Sequence, residues 1–515
     1  MKTRIALALL TVVITVSASA GVADNDATCD IKVGPAATLL LPYFEVDLQK
    51  TGEQTTLFTI TNVSRYSQIA HVTLWTDWSF PVLTFNIFLT GYDVQSINVK
   101  DILVSGVVAS AAGTGPTTVK SPLGALTSPP FGPGYANPNF KAVIECDALP
   151  GVLSQTLVAA VRSALTTGDY NAGASAACTN KVGGSHTNAI GYATIDVVGS
   201  CTTRSPADPL YYTADLLYDN VLIGDYQQIG PHPAGTSATS FDASGNPMVH
   251  IRAIPEGGAA GSNVATELPY TFYDRYTPAA NRIQDRRQPL PSAFAARFIQ
   301  GGTAAFATNY TIWREGFGSG ACSASLAING ALPTVEIVRF DEHDNPNELP
   351  PCLTGACPGI PTYPFPATSS SSTASGFYPS MSTADVGGWM YLNLNNGGST
   401  GYSVTRNVGG IPTIITGAGG TSKLVPAGSD MVGPRPSQNW VTITMFGSFG
   451  PKQMVAEFDA ASLGNGCSLA ALGMTVGNGS GTIAPAGGVF VCPPGTNLSN
   501  GTTALCTGTN INPKP

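Results

Sequence analysis

Apolar and polar positions along much of this chain alternate with a period of two. Over 69–77, Ala70, Val72 and Leu74 alternate with His71, Thr73, Trp75 and Asp77; over 82–89, Leu83, Phe85, Ile87 and Leu89 alternate with Thr84, Asn86 and Phe88. Such alternation separates the two faces of a pleated strand, and turn residues at 62–65 and 78–81 divide one run from the next. Both features predict half-buried antiparallel strands. Further strands are expected at 221–226, 249–254, 310–315, 335–340, 389–394, 440–446 and 454–458. One stretch breaks the pattern: Leu153, Leu157, Val161 and Leu165 recur every fourth residue and Gly168 offers a stop, so a helix is expected near 150–167. A second, shorter helix would start at Asp208-Pro209, an N-cap followed by a proline in the first turn.

The expected fold is therefore mainly β, with antiparallel β-sandwich-like domains, a few helices and long Gly/Pro/Ser-rich loops. Shifts in composition suggest a sandwich-like region over 21–104, a linker and mixed region over 105–220, a larger β-rich region over 221–476 and a Gly/Thr/Asn-rich tail over 477–515. No repeat of fixed period is legible. The likeness between Phe58-Thr59-Ile60-Thr61-Asn62 and Tyr391-Leu392-Asn393-Leu394-Asn395 is too slight to establish a duplication.

The first twenty residues set the expected compartment. Lys2 and Arg4 precede an apolar run from Ile5 to Val16, which ends in Ser17-Ala18-Ser19-Ala20. A basic head, a short apolar stretch and small residues at a cut site make a secretory signal peptide. Its apolar run is shorter than the roughly 20 residues that span a bilayer, and no later segment is long enough either. The mature chain is expected to be secreted, periplasmic or attached to a cell surface. Only 11% of residues are charged, against roughly 25% in an average soluble protein. Loss of Lys2 and Arg4 would take the formal charge from −8 to −10. An acidic chain without basic runs is a poor match for nucleic acid. The ten cysteines (Cys29, Cys146, Cys178, Cys201, Cys322, Cys352, Cys357, Cys467, Cys492 and Cys506) are even in number, and in an exported chain they read first as disulfides.

Catalytic signatures are sparse. Gly397-Gly398-Ser399-Thr400-Gly401 matches a nucleophile elbow in letters, but a strand-like run follows it where a helix is required, so it reads as a hairpin turn. Asp341, Glu342 and Asp344, with Glu348 close by, could hold a structural calcium ion, the one cofactor this sequence suggests; the alternative is a solvated loop after strand 335–340. The segment 252–315 holds half of the arginines (Arg252, Arg275, Arg282, Arg286, Arg287, Arg297, Arg314), interleaved with aromatics, in a stretch free of lysine from 182 to 422. Arginine suits planar, bidentate or stacked contacts. Arg275, Arg282, Arg286, Arg287, Tyr273, Tyr276 and Trp313 are thus candidates for binding an anionic glycan or carboxylated ligand, the alternative being internal bracing. Within Arg286-Arg287, neighbours on an extended strand point to opposite sides, so one is expected to brace and the other to be exposed.

The expected role is a non-catalytic secreted or surface β-protein for adhesion, glycan binding or envelope assembly, with a glycan or cell-surface component as partner and self-assembly a further option. The alternative is a secreted polysaccharide-active hydrolase with paired carboxylates such as Glu315 or Asp341. N-terminal sequencing of exported material is expected to begin at or beside Gly21; an intact Met1 would refute export by this signal.

Overall fold

The computed structural model describes residues 31–48, 54–108, 153–172, 178–231, 241–257, 271–273, 285–314, 336–348, 368–371, 386–394, 413–416, 422–425, 438–449, 452–464, 497–498 and 506–507, with single positions omitted inside some of these. The expected signal peptide, residues 109–152 of the expected linker and mixed region, and most of the tail lie outside them.

Strands β1 (Thr38–Val46), β2 (Thr55–Asn62), β3 (Gln68–Thr76), β4 (Pro81–Leu89), β5 (Val94–Asn98), β6 (Ala189–Val198), β7 (Leu222–Pro231), β8 (Phe241–Pro247) and β9 (Val249–Ile251) form two antiparallel sheets. One is five-stranded, in the order β4-β3-β6-β1-β9; the other is four-stranded, β5-β2-β7-β8. Strand β1 packs across β2 and β7, closing a sandwich in which Leu39, Phe58, Ile60, Val72 and Ile195 are sealed from solvent. Each such side chain contributes about 1.5–3 kcal/mol relative to exposure. The sandwich expected over 21–104 is thus larger than its boundaries. Strand β6 lies between β3 and β1, and β7 lies beside β2, so strands far along the chain complete both sheets. Period-two alternation marks a strand but not its neighbour.

Helix α1 (Gln155–Thr166) packs Val158, Val161, Ala164 and Leu165 inward near β6. Ser154 caps it, its hydroxyl accepting from the Leu157 amide at 3.2 Å. Gly168, at φ 74°, ends it where a Cβ would overlap the Gly183 carbonyl. The second expected helix is a single π-helical turn, Tyr211–Asp215. Among the described residues no helix is long and apolar enough to cross a membrane.

Strands β10 (Ala293–Ile299), β11 (Ala307–Arg314), β12 (Glu336–Asp341), β13 (Pro346–Glu348), β14 (Thr368–Ser371), β15 (Gly387–Asn393), β16 (Thr413–Thr416), β17 (Ser422–Val425), β18 (Asn439–Phe449), β19 (Lys452–Asp459) and β20 (Ala461–Gly464) follow. Apart from the β16–β17 hairpin they form a five-stranded sheet, β13-β12-β15-β10-β20, and a four-stranded sheet, β14-β11-β18-β19. Strand for strand, this is the order of the first half. The likeness continues residue by residue. The Thr56 hydroxyl takes the Glu45 amide (3.1 Å) and donates to its carbonyl (3.4 Å), and Thr308 does the same to Ile299 (2.9 Å each). A Cβ on Gly191 would overlap the Trp75 carbonyl and the Phe44 ring; one on Gly388 would overlap the Phe340 carbonyl and crowd the Phe298 ring. Val197 N donates to Ala37 O at 3.0 Å and Leu394 N to Ser292 O at 2.9 Å, while Met248 N donates to Gly224 O at 3.0 Å and Ala460 N to Val441 O at 2.8 Å.

The chain is therefore two copies of one sandwich topology, which the sequence did not reveal. Phe58 corresponds to Tyr310, and Tyr391 corresponds to Thr194. Between β2 and β11 only Thr56/Thr308, Thr59/Thr311 and Ile60/Ile312 are identical, too few to stand out among loops of unequal length. The copies meet where β19 lies against β8 and where β11 and β14 lie against β1.

Gly191→Ala should cost about 1–3 kcal/mol, because overpacking a closed site forces backbone to move, and Gly388→Ala should do the same to the second copy. Urea unfolding reads this as lowered midpoints. Gly34→Ala, where a Cβ meets nothing within 4 Å, is the silent control.

Candidate functional site

The outer face of each five-stranded sheet carries rows of side chains directly opposite one another on neighbouring strands. In the first copy one row runs Thr38, Asp196, His71, Asn86. All four are buried. A bare carboxylate there would be costly, and Asp196 is instead saturated by hydroxyls. Tyr211 and Tyr273 each donate to its Oδ2 at 2.8 Å, and Thr38 donates to its Oδ1. Arg287 Nε donates to the Thr38 hydroxyl and lies 3.4 Å from Asp196 Oδ1, while its Nη1 lies 3.3 Å from Asp285 Oδ1. Asp285 also accepts from the Arg287 and Tyr273 amides at 3.2 and 3.3 Å. Arg286 stacks on Tyr218, its guanidinium carbon 3.9 Å from the ring centroid.

These placements correct the expected arginine site. Arg286 and Arg287 are 1% and 0% exposed, and Tyr273 and Trp313 are 0% and 1%. Both arginines brace; neither is exposed. The alternation argument fails because the pair sits mainly in extended connecting chain, joined to Ala253 by a bridge at Arg287 alone, with structure covering both sides. Arg275, Arg282 and Tyr276 lie outside the described residues. Burial disfavours charge on Arg287, but Asp196 and Asp285 more than offset this and raise its pKa; burial lowers that of Arg286. Burial first, and Asp196 second, raise the Tyr211 and Tyr273 phenols. Both therefore remain hydrogen-bond donors to Asp196 at physiological pH.

The acidic candidate site is a turn. Asp341 Oδ1 accepts from the His343 and Asn345 amides at 2.8 and 2.9 Å, and Asn345 Nδ2 lies 2.9 Å from Oδ2. These bonds hold the Asp341 carboxyl below its usual range. The first copy has the same turn with Thr76 in this role, its hydroxyl accepting from the Trp78 and Phe80 amides at 3.2 Å. Ser79 (φ 60°) and Asp344 (φ 61°) take the same left-handed position. Asp341 is thus a turn cap, and Glu342 and Asp344 are exposed. Among the described residues no group of three or more His, Cys, Asp or Glu is placed to hold a metal.

Two further polar clusters contain carboxylates. Asp77 accepts from Gly184 N and pairs with His186 Nε2, both at 2.9 Å. Glu457 and Asp459 share one face of β19, where the copies meet. Tyr226 donates to Glu457 at 2.9 Å; Asn246, Trp440 and Thr442 donate to Asp459 Oδ1 at 2.9, 2.9 and 3.2 Å. Desolvation nonetheless raises the Asp459 pKa against these bonds.

The site missed in the sequence is the outer row of the second copy: Arg297, Trp389 and Phe340, opposite one another on β10, β15 and β12. Trp389 and Phe340 stack, 4.0 Å between centroids and 7° between planes. Both are half-buried, and Arg297 is exposed. The matching pair in the first copy, Trp75 and Tyr192, is parallel to 2° at 5.7 Å, is fully buried, and has Trp313 of β11 edge-on against Tyr192 at 5.8 Å. In the sequence these residues read only as strand. No family model matches this chain, and no curated protein or solved structure gives a significant match.

Arg287→Ala should cost about 3–5 kcal/mol, since it strands buried carboxylates, and Arg286→Ala should also lower the melting midpoint. Asp459 gives a pH signature. A carboxyl whose pKa rises on folding binds its proton more tightly when folded, so stability falls as pH climbs past the ordinary aspartate value. Asp459→Asn should therefore gain on the parent at pH 7 and lose that advantage near pH 4, read by melting midpoints across the range.

Proposed function

We propose that the chain is a non-catalytic, exported β-protein that binds carbohydrate, for adhesion or envelope assembly, through the aromatic row of its second copy. One observation carries this reading: the row is fully buried in the first copy, where Trp313 lies edge-on against Tyr192, and only half-buried in the second. Rigid aromatic rings offer large contact area at little entropic cost, and the C–H face of a pyranose suits the negative face of a ring. The row stands on a hydrogen-bonded sheet, so the rings are held in place before any ligand arrives. The hydrolase alternative has weaker support. Glu315 lies outside the described residues, Asp341 caps a turn, and Glu457 and Asp459 are engaged between the copies. Disulfides belong to the same proposal; they are supported by the even count of ten cysteines and by the absence of a free thiol among the described residues.

A glycan array probed with parent protein should give saccharide binding, and Trp389→Ala should weaken it at least about tenfold, roughly 1.4 kcal/mol. Binding untouched by both Trp389→Ala and Phe340→Ala, or shortened saccharide products with the parent, would overturn the proposal.

A further inference from the structure

We infer that the saccharide bound by the second-copy row is acidic, with its carboxylate paired to Arg297; this rests on the carbohydrate-binding reading above. Phe340 covers one face of the Trp389 indole, and Arg297 lies on the opposite side, directly across from Trp389 on β10. The remaining indole face is therefore turned toward the arginine strand. A ring held there places its substituents beside an exposed guanidinium. Arginine binds carboxylate through two parallel hydrogen bonds in a fixed plane. The Arg297 backbone is anchored, since its carbonyl accepts from Tyr310 Oη at 2.9 Å.

The first copy indicates what kind of group this place accepts. There an aromatic ring, Trp313, sits against Tyr192, the counterpart of Trp389. A second copy of the chain cannot fill the open place in the same way. The residue matching Trp313 on the first copy's β2 is Thr61, so no indole is available at that position. Among the described residues no ring other than Phe340 is in contact with Trp389, and the occupant we infer is a ligand from outside the chain. Acidic residues stand at the other end of the row, where Glu342 and Asp344 are exposed on the β12–β13 turn. They are at least two strand spacings from Arg297, about 10 Å, close to one screening length at 0.1 M salt. They therefore orient the carboxylate toward Arg297 rather than exclude it.

The test is a panel of matched saccharides, uronate and sialate oligomers against their methyl-esterified or neutral counterparts, titrated into the full chain. The acid forms should bind at least about tenfold more tightly. Arg297→Gln should abolish that preference while leaving neutral binding, Arg297→Lys should restore only part of it, and rising salt should weaken the acid forms alone. Equal binding of acid and neutral forms would overturn the acidic assignment and leave carbohydrate binding standing. No binding to any saccharide would overturn both, as would a dimer seen by ultracentrifugation that Trp389→Ala dissolves. Because Arg297 is exposed, its variants should melt with the parent; a shifted midpoint would mean that Arg297 braces the sheet, which also overturns the inference.

Discussion

A buried carboxylate must be given hydrogen bonds or it cannot remain buried, and Asp196 imposes that condition on much of the first sandwich. Its donors are Thr38 on β1, Tyr211 in the π-helical turn and Tyr273 in the connection, and Arg287 reaches it from the stretch just before β10. Groups far apart in the chain thus share one desolvated charge. Asp285 supplies the second negative charge that Arg287 faces, and Tyr218 covers Arg286. The described parts of the connection that carry Tyr273 and Asp285–Arg287 are consequently part of the first copy's covering layer.

The two copies share a topology but few residues, so similar places do different work. The capping role of Thr76 passes to Asp341 without changing the turn. Asp196 is matched by Asn393, which needs no counter-charge. Asn62, whose amide ties Tyr66 and Thr90 carbonyls at 2.6 and 2.9 Å, is matched by Arg314, whose Nη2 donates to the Leu394 carbonyl at 2.6 Å. Thr61, on the half-exposed outer face of β2, is matched by Trp313, which is buried against the first copy. That last exchange helps join the copies. It also leaves asymmetry: among the described residues, one aromatic row is fully buried with Trp313 against it and the other is half-buried.

The proposed function rests on this asymmetry. A single sandwich closed on both faces would present polar strand edges and loops. Two copies stacked in one direction leave a terminal face that the joining contact cannot satisfy. Trp389, Phe340 and Arg297 occupy that face, and their chemistry is aromatic and cationic in an otherwise acidic chain.

The sequence by itself determined the class of structure. Alternation at 69–77 and 82–89 marked β3 and β4, every-fourth spacing from Leu153 to Leu165 marked α1, and Gly168 marked that helix's end. These signals are legible because strand pleat and helical turn are set by neighbours within a few residues. Tertiary structure alone decided which strands pair, that the pairing order occurs twice, and which arginines are buried. Arg286 and Arg287 face contacts with Tyr218, Thr38 and Asp196 that no local pattern encodes. Arg297 and Trp389 became neighbours only when β10 aligned with β15. Burial and cross-strand register depend on segments far apart in the chain, so the candidate site exists only once the sheets have closed.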